Sequence, residues 1–141
     1  IMVGAHRGVV VAHVPADFAA GVVEDLVCGV AEEHDVVFVE GQAALTHRAY
    51  SGVTLSILHG AWPDAVVLVD QPDRERRTHF DQWAVAGVET EMELVEELSA
   101  ATVAGVSTWA DPGAVEYPVP AANVYDDDGP ADLLAAVRDA L

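Results

Sequence analysis

The valine-rich runs constrain the fold most. Residues 8–14, 36–39, 65–69 and 103–108 are each short and continuously apolar or nearly so, and a shorter run follows at 122–125. A sheet with one wet face would alternate apolar and polar residues. Unbroken runs of this length read instead as strands buried on both faces of a parallel sheet. Parallel neighbours need crossovers, and helical patterns lie between the runs. Phe18, Val22, Leu26 and Val30 recur every four residues with Ala19, Val23 and Val27 beside them, while Glu24, Asp25 and Glu32 fall on other faces. Leu94, Val95 and Leu98 mark a second helix. Leu133, Leu134, Val137 and Leu141 mark a third, with Pro130 suited to its first turn. The expectation is one α/β domain over residues 1–141: a mostly parallel sheet with flanking helices, right-handed crossovers, and ligand chemistry at the carboxyl ends of the strands. Residues 70–83, polar and following a strand, read as an exposed loop or lid. Residues 110–122 hold three prolines and read as an irregular connection.

A chain of 141 residues buries roughly 68–70% of its unfolded surface, enough for a core. No apolar run approaches the ~20 residues of a membrane span, and the first residues lack the order of a secretory leader, so the expected compartment is the cytoplasm. Charge is the unusual quantity. Asp and Glu number 24 against 6 basic residues, all of them arginine, for a net charge of −18. Phosphates would be repelled, which argues against sequence-independent nucleic-acid binding. The acids are spread over outer helix faces and turns, a pattern that fits a salt-loaded cytoplasm, where a Debye length of about 3 Å at molar salt screens self-repulsion. Cys28, the single cysteine, excludes an intramolecular disulfide and a cysteine-rich zinc site; inside a helical pattern it reads as a packed thiol.

Two carboxylates stand at strand ends: Glu40 before Gly41, and Asp70 before Gln71-Pro72. On a parallel sheet both would emerge at the ligand edge, where two acids can hold Mg²⁺ together with substrate phosphates. Each can equally cap the turn that follows. Gly41 would permit close backbone approach to a ligand. His47 and His59 can serve as general acid or base near neutral pH, or can be packed and hydrogen-bonded; their spacing from Glu40 matches no zinc motif. The other histidines, at 6, 13, 34 and 79, carry less signal. Residues 53–58 read as a short helix whose start near Gly52, Val53 and Thr54 offers N–H groups to an anion, or as a structural turn–helix–turn. Neither a phosphate loop ending in Lys-Ser/Thr nor a G-x-S-x-G elbow is present in the 141 residues.

The stretch "VEGQAALTHRAYSGVTLSILHGAWPDAVVLV", with "ADFAAGVVEDLV" before it, resembles the carboxy-terminal domain of a family long of unknown function. Some of its members are D-glutamate N-acetyltransferases of the DgcN type. The pattern E-G-Q-G-S-L-x-H-P-x-Y-x-G-V-T-L-x-L-L-H-G-x-x-P-D falls on Glu40, Gly41, Gln42, Leu45, His47, Tyr50, Gly52, Val53, Thr54, Leu55, Leu58, His59, Gly60, Pro63 and Asp64. Ala43 and Ala44 replace its Gly-Ser pair, Arg48 its proline and Ile57 a leucine. The likeness extends from residue 4 to about 72, and more loosely to 141.

The resemblance implies a P-loop NTPase-like, dethiobiotin-synthetase-like fold lacking its phosphate-loop strand and helix, so that this chain would be a piece of a longer two-domain protein. It further implies an N-acyltransferase that uses acetyl-CoA on D-glutamate or a related acidic amino acid. His47 or His59 would then be the base, and Gln42, Tyr50, Gly52, Val53 and Thr54 would bind the substrate. Glu40, Gly41 and Asp70 would face Mg²⁺ and ATP. The alternatives are a Mg-nucleotide-dependent ligase, or a domain inactive in isolation. The expected partners are a small-molecule substrate and either a second copy or the protein's own amino-terminal domain, with neither nucleic acid nor membrane.

Overall fold

The computed structural model describes residues 3–141. The chain divides into two compact units, Ile1–Trp62 and Pro63–Leu141.

The first unit is helical. Short 3₁₀ turns at Val11–His13 and Ala16–Phe18 lead into α1 (Ala19–Ala31), and α2 (Ser51–Ala61) follows a long irregular stretch. α1 begins where the four-residue repeat predicts. Phe18 is its N-cap and is 66% exposed, whereas Ala19 and Val23 are buried. The two helices come close at Gly60, where an added Cβ would overlap the Ala20 carbonyl oxygen and lie 2.8 Å from the Val23 Cβ. Glycine is what allows this backbone-to-side-chain contact. α2 stops at Trp62, left-handed at φ 45°, ψ 57°, whose N–H bonds the Leu58 carbonyl; Pro63 then prevents continuation.

Two expected strands do not form. Residues 8–14 contain a 3₁₀ turn, and residues 36–39 run on with no ladder partner among the described residues. Val36 and Phe38 are 66% and 85% exposed. An apolar run says that burial is favourable, but a strand also needs neighbours for its N–H and C=O groups. Cys28 differs as well. It lies one turn beyond Glu24, on the solvent face of α1, and is exposed.

The second unit holds the sheet. In chain order it contains β1 (Ala65–Asp70), β2 (Arg76–Arg77), β3 (Phe80–Ala84), α3 (Val88–Leu98), β4 (Thr102–Thr108), β5 (Ala121–Ala122) and α4 (Gly129–Ala140). β1, β4 and β5 are parallel in the order β1-β4-β5, as the continuous apolar runs predict. β4 is the buried centre: Val106 and Thr108 are fully enclosed, and Val103 is nearly so. Leu133 and Ala136 of α4 and Val95 of α3 are buried in the same unit, and both helices contact β4. Pro130 sits in the first turn of α4 as expected. The register pairs Asp70 with Thr108, so both side chains stand at the carboxyl end of the sheet.

β5 is shorter than the apolar run at 122–125. Asn123 turns the chain there, its side-chain oxygen accepting the Tyr125 N–H and its carbonyl the Asp126 N–H. Residues 70–83 are not simply a loop. β2 and β3 pair as an antiparallel hairpin with a two-residue turn, His79 taking φ 67° and the Phe80 and Trp83 rings stacking 4.7 Å apart. Arg77 joins this hairpin to Glu91 of α3 at 3.5 Å. Among the described residues no helix is long and apolar enough to cross a membrane.

Candidate functional site

In the first unit, the residues expected to bind substrate span the segment before α2 and the first turn of α2 itself. The Thr54 hydroxyl donates to the Gln42 carbonyl at 2.7 Å and also lies near the carbonyls of Tyr50 (3.3 Å) and Ala44 (3.5 Å). One hydroxyl thus folds the 42–44 segment back onto the helix. Ala43, where the related pattern carries glycine, takes φ 57°. His47 is buried, and its Nδ1 accepts the Ala49 N–H at 3.3 Å. In the neutral ring that places the proton on Nε2, making His47 a hydrogen-bond donor there. Its ring lies 4.8 Å from that of Tyr50, the N-cap of α2, and its carbonyl accepts the N–H groups of both Tyr50 and Ser51.

This arrangement changes what the helix start can offer. The Val53 and Thr54 N–H groups both point at the Tyr50 carbonyl. Gly52 is exposed, and a Cβ added to it would meet nothing within 4 Å. The open approach is therefore at Gly52, while the amides of Val53 and Thr54 are already engaged. His59 is exposed in the last turn of α2, on the face shared with Gly52 and Ser56. Glu40 and Gly41 are exposed on the irregular segment rather than at the end of a paired strand. No group of three or more His, Cys, Asp or Glu side chains is placed to hold a metal ion among the described residues.

In the second unit, Asp70 ends β1 as expected, and it is more than a cap. Tyr117 Oη donates to Asp70 Oδ2 at 2.8 Å and lies 3.2 Å from Thr108 Oγ1, which in turn accepts the Ala110 N–H at 3.2 Å. A single direction satisfies every group: Ala110 N–H to Thr108, Thr108 hydroxyl to Tyr117, Tyr117 hydroxyl to Asp70. Tyr117 is held in its neutral form, its pKa raised above the usual value by burial and by the Asp70 carboxylate, against the lowering effect of Thr108. Asp70 and Tyr117 line a cavity of about 310 Å³, together with Arg74 and the first residues of α3, Val88 and Glu89. Arg74 also bonds the Gln71 side chain. Tyr117, Thr108 and Arg74 escape a reading of the sequence. Tyr117 sits in a proline-rich connection 47 residues from Asp70, with no periodicity to flag it.

Residues 1–111 match the family described as a domain of unknown function, DUF1611_C, P-loop domain. A D-glutamate N-acetyltransferase from Pseudoalteromonas sp is 38% identical over 88 residues, covering 62% of this chain and 26% of that protein. A protein of the same name from Tritonibacter scottomollicae is 39% identical over 83 residues, covering 58% of this chain and 24% of its own length. The chain thus spans about a quarter of the length of these curated relatives. The crystal structure of a DUF1611 family protein from Anabaena variabilis is similar with a TM-score of 0.82 and 26% identity, over 94% of this chain and 44% of that one. With most of its length matched and its parallel sheet flanked by helices, the chain belongs to the DUF1611 family, as its carboxy-terminal P-loop domain.

Proposed function

We propose that the chain is part of a DgcN-type N-acyltransferase that moves an acetyl group from acetyl-CoA to the amino group of D-glutamate or a related acidic amino acid. The likeness to two proteins named D-glutamate N-acetyltransferase, at 38% and 39% identity over more than half of this chain, carries the reading. In the reaction a base takes a proton from the ammonium, and the freed amine attacks the thioester carbonyl. The tetrahedral oxyanion then collapses, and the C–S bond breaks to release the thiol. His59 is the candidate base, exposed in the last turn of α2, whereas His47 is buried and its Nδ1 accepts the Ala49 N–H. His47 instead orders the turn leading to Gly52.

The residues present do not by themselves fit a Mg-nucleotide. The chain has no lysine and no glycine-rich loop, and Asp70 is already bonded by Tyr117. The thioester is itself an activated acyl donor, so the transfer needs no ATP. The test is release of free thiol from acetyl-CoA by the full-length protein, with N-acetylglutamate identified by mass. Release should depend on D-glutamate, and His59→Gln should lower kcat by about 10²-fold or more. Thiol release that is indifferent to any amino acid refutes the activity. Unchanged turnover in His59→Gln refutes the role of His59.

A further inference from the structure

The cavity at the carboxyl ends of β1 and β4 combines features that recognise one class of molecule. Asp70 is a carboxylate with one oxygen fixed by Tyr117, so its orientation is set by a chain of hydrogen bonds that ends on fully buried Thr108. Tyr117 stays neutral, so the charge of the triad rests on Asp70 alone. Arg74, one of only 6 basic residues in the chain, lines the same cavity. The remaining charges there are Glu89 and Glu116, both exposed to solvent. An aligned carboxylate and a guanidinium on one small cavity match the ammonium and carboxylate of an amino acid, and the volume of about 310 Å³ admits one.

We infer that this cavity binds an amino acid as its zwitterion, Asp70 accepting from the ammonium and Arg74 donating to a carboxylate. The inference takes from the acyltransferase reading only the choice of glutamate as the amino acid; the paired charges stand without it, and the cavity is assigned binding of the amino acid, not the base that removes the ammonium proton. The two glutamates repel a second carboxylate on the ligand, and salt screens that repulsion. Salt also screens the two attractive pairs, which alanine shares, so between 0.1 and 2 M KCl glutamate should lose less affinity than alanine.

The experiment is calorimetric titration of the full-length protein with D-glutamate, with glutarate (which lacks the ammonium) and with Mg-ATP, all without acetyl-CoA. D-glutamate should bind, and glutarate should bind about tenfold more weakly or worse. Arg74→Gln, an exposed position whose folding is checked by circular dichroism, should weaken D-glutamate by about tenfold, as should Asp70→Asn. The site is overturned if D-glutamate does not bind, if glutarate binds equally well, if neither substitution moves the affinity, or if Mg-ATP competes for the cavity and loses affinity in the same variants. Turnover is read separately. Acetyl transfer with unchanged KM in Arg74→Gln overturns the site and leaves the activity standing. The expected binding pattern without any transfer keeps the site and removes the activity.

Discussion

Replacing Gly60 with alanine and, separately, Gly52 with alanine makes the same chemical change twice on one helix, with opposite outcomes expected. At Gly60 the new methyl would overlap the Ala20 carbonyl oxygen and sit 2.8 Å from the Val23 Cβ, a side chain that is itself buried. Backbone oxygen cannot swing aside, so α1 and α2 must part. Overpacking of this kind costs about 1–3 kcal/mol, against about 1 kcal/mol gained from the higher helix propensity of alanine. Gly60 lies in the last turn of α2, where only about half of that propensity gain applies, so the net expectation is a loss of about 0.5–2.5 kcal/mol. At Gly52 the methyl meets nothing within 4 Å. Only the propensity gain remains, reduced to about 0.5 kcal/mol because the position lies in the first turn. Urea denaturation followed at 222 nm should separate the two variants by about 2 kcal/mol, with the parent between them and nearer Gly52→Ala. If Gly60→Ala is as stable as the parent, the close approach of the helices at Ala20 is wrong.

The neutral phenol of Tyr117 contributes stability that is complete below its unfolded pKa, about 10, and is lost as pH rises through its higher folded value. Ultraviolet titration at 295 nm should show Tyr117 ionising above the ordinary tyrosine range, and Asp70→Asn should bring it down. Tyr117→Phe should cost about 1–2 kcal/mol by removing a bond to a carboxylate and one from the buried Thr108 hydroxyl; a variant as stable as the parent would exclude the relay. Ala43→Gly should stabilise by about 0.5–1 kcal/mol, because φ 57° strains alanine and not glycine, and a loss in the urea midpoint would contradict that geometry. A net charge of −18 predicts a rise in Tm between 0.1 and 2 M KCl; a flat profile would remove the salt-adaptation reading.

How much could be read from the sequence differed by element. β4 was legible because a run buried on both faces is apolar at every position, and Val103 to Thr108 is nearly so. α1, α3 and α4 were legible because their burial repeats at helical spacing. The run at 36–39 misleads for the same reason that β4 is legible. Apolarity reports a preference for burial and not the presence of a neighbour to share hydrogen bonds. The hairpin of β2 and β3 was missed because Arg76 and Arg77 carry no strand pattern and pair through a short, irregular register. At the candidate site, Asp70 could be found as the last residue of a strand. Tyr117 and Thr108 could not, since their meeting with Asp70 depends on the register of β1 against β4 and on the path of the connection after β4. The likeness to the DUF1611 family was legible in the residues from Glu40 to Asp64, which lie within the 1–111 that match it.

Cys28 stands on the outer face of α1 in a chain without a single lysine. No lysine amine competes for an electrophile, so near neutral pH a maleimide dye goes to this thiol. Trp83 and Trp109 belong to the second unit and Trp62 to the first, so with Trp62→Phe the remaining fluorescence donors all lie in the second unit. A dye at this thiol turns α1 into a beacon, and energy transfer to it would read the separation of the helical unit from the sheet as glutamate, acetyl-CoA and salt are added in turn.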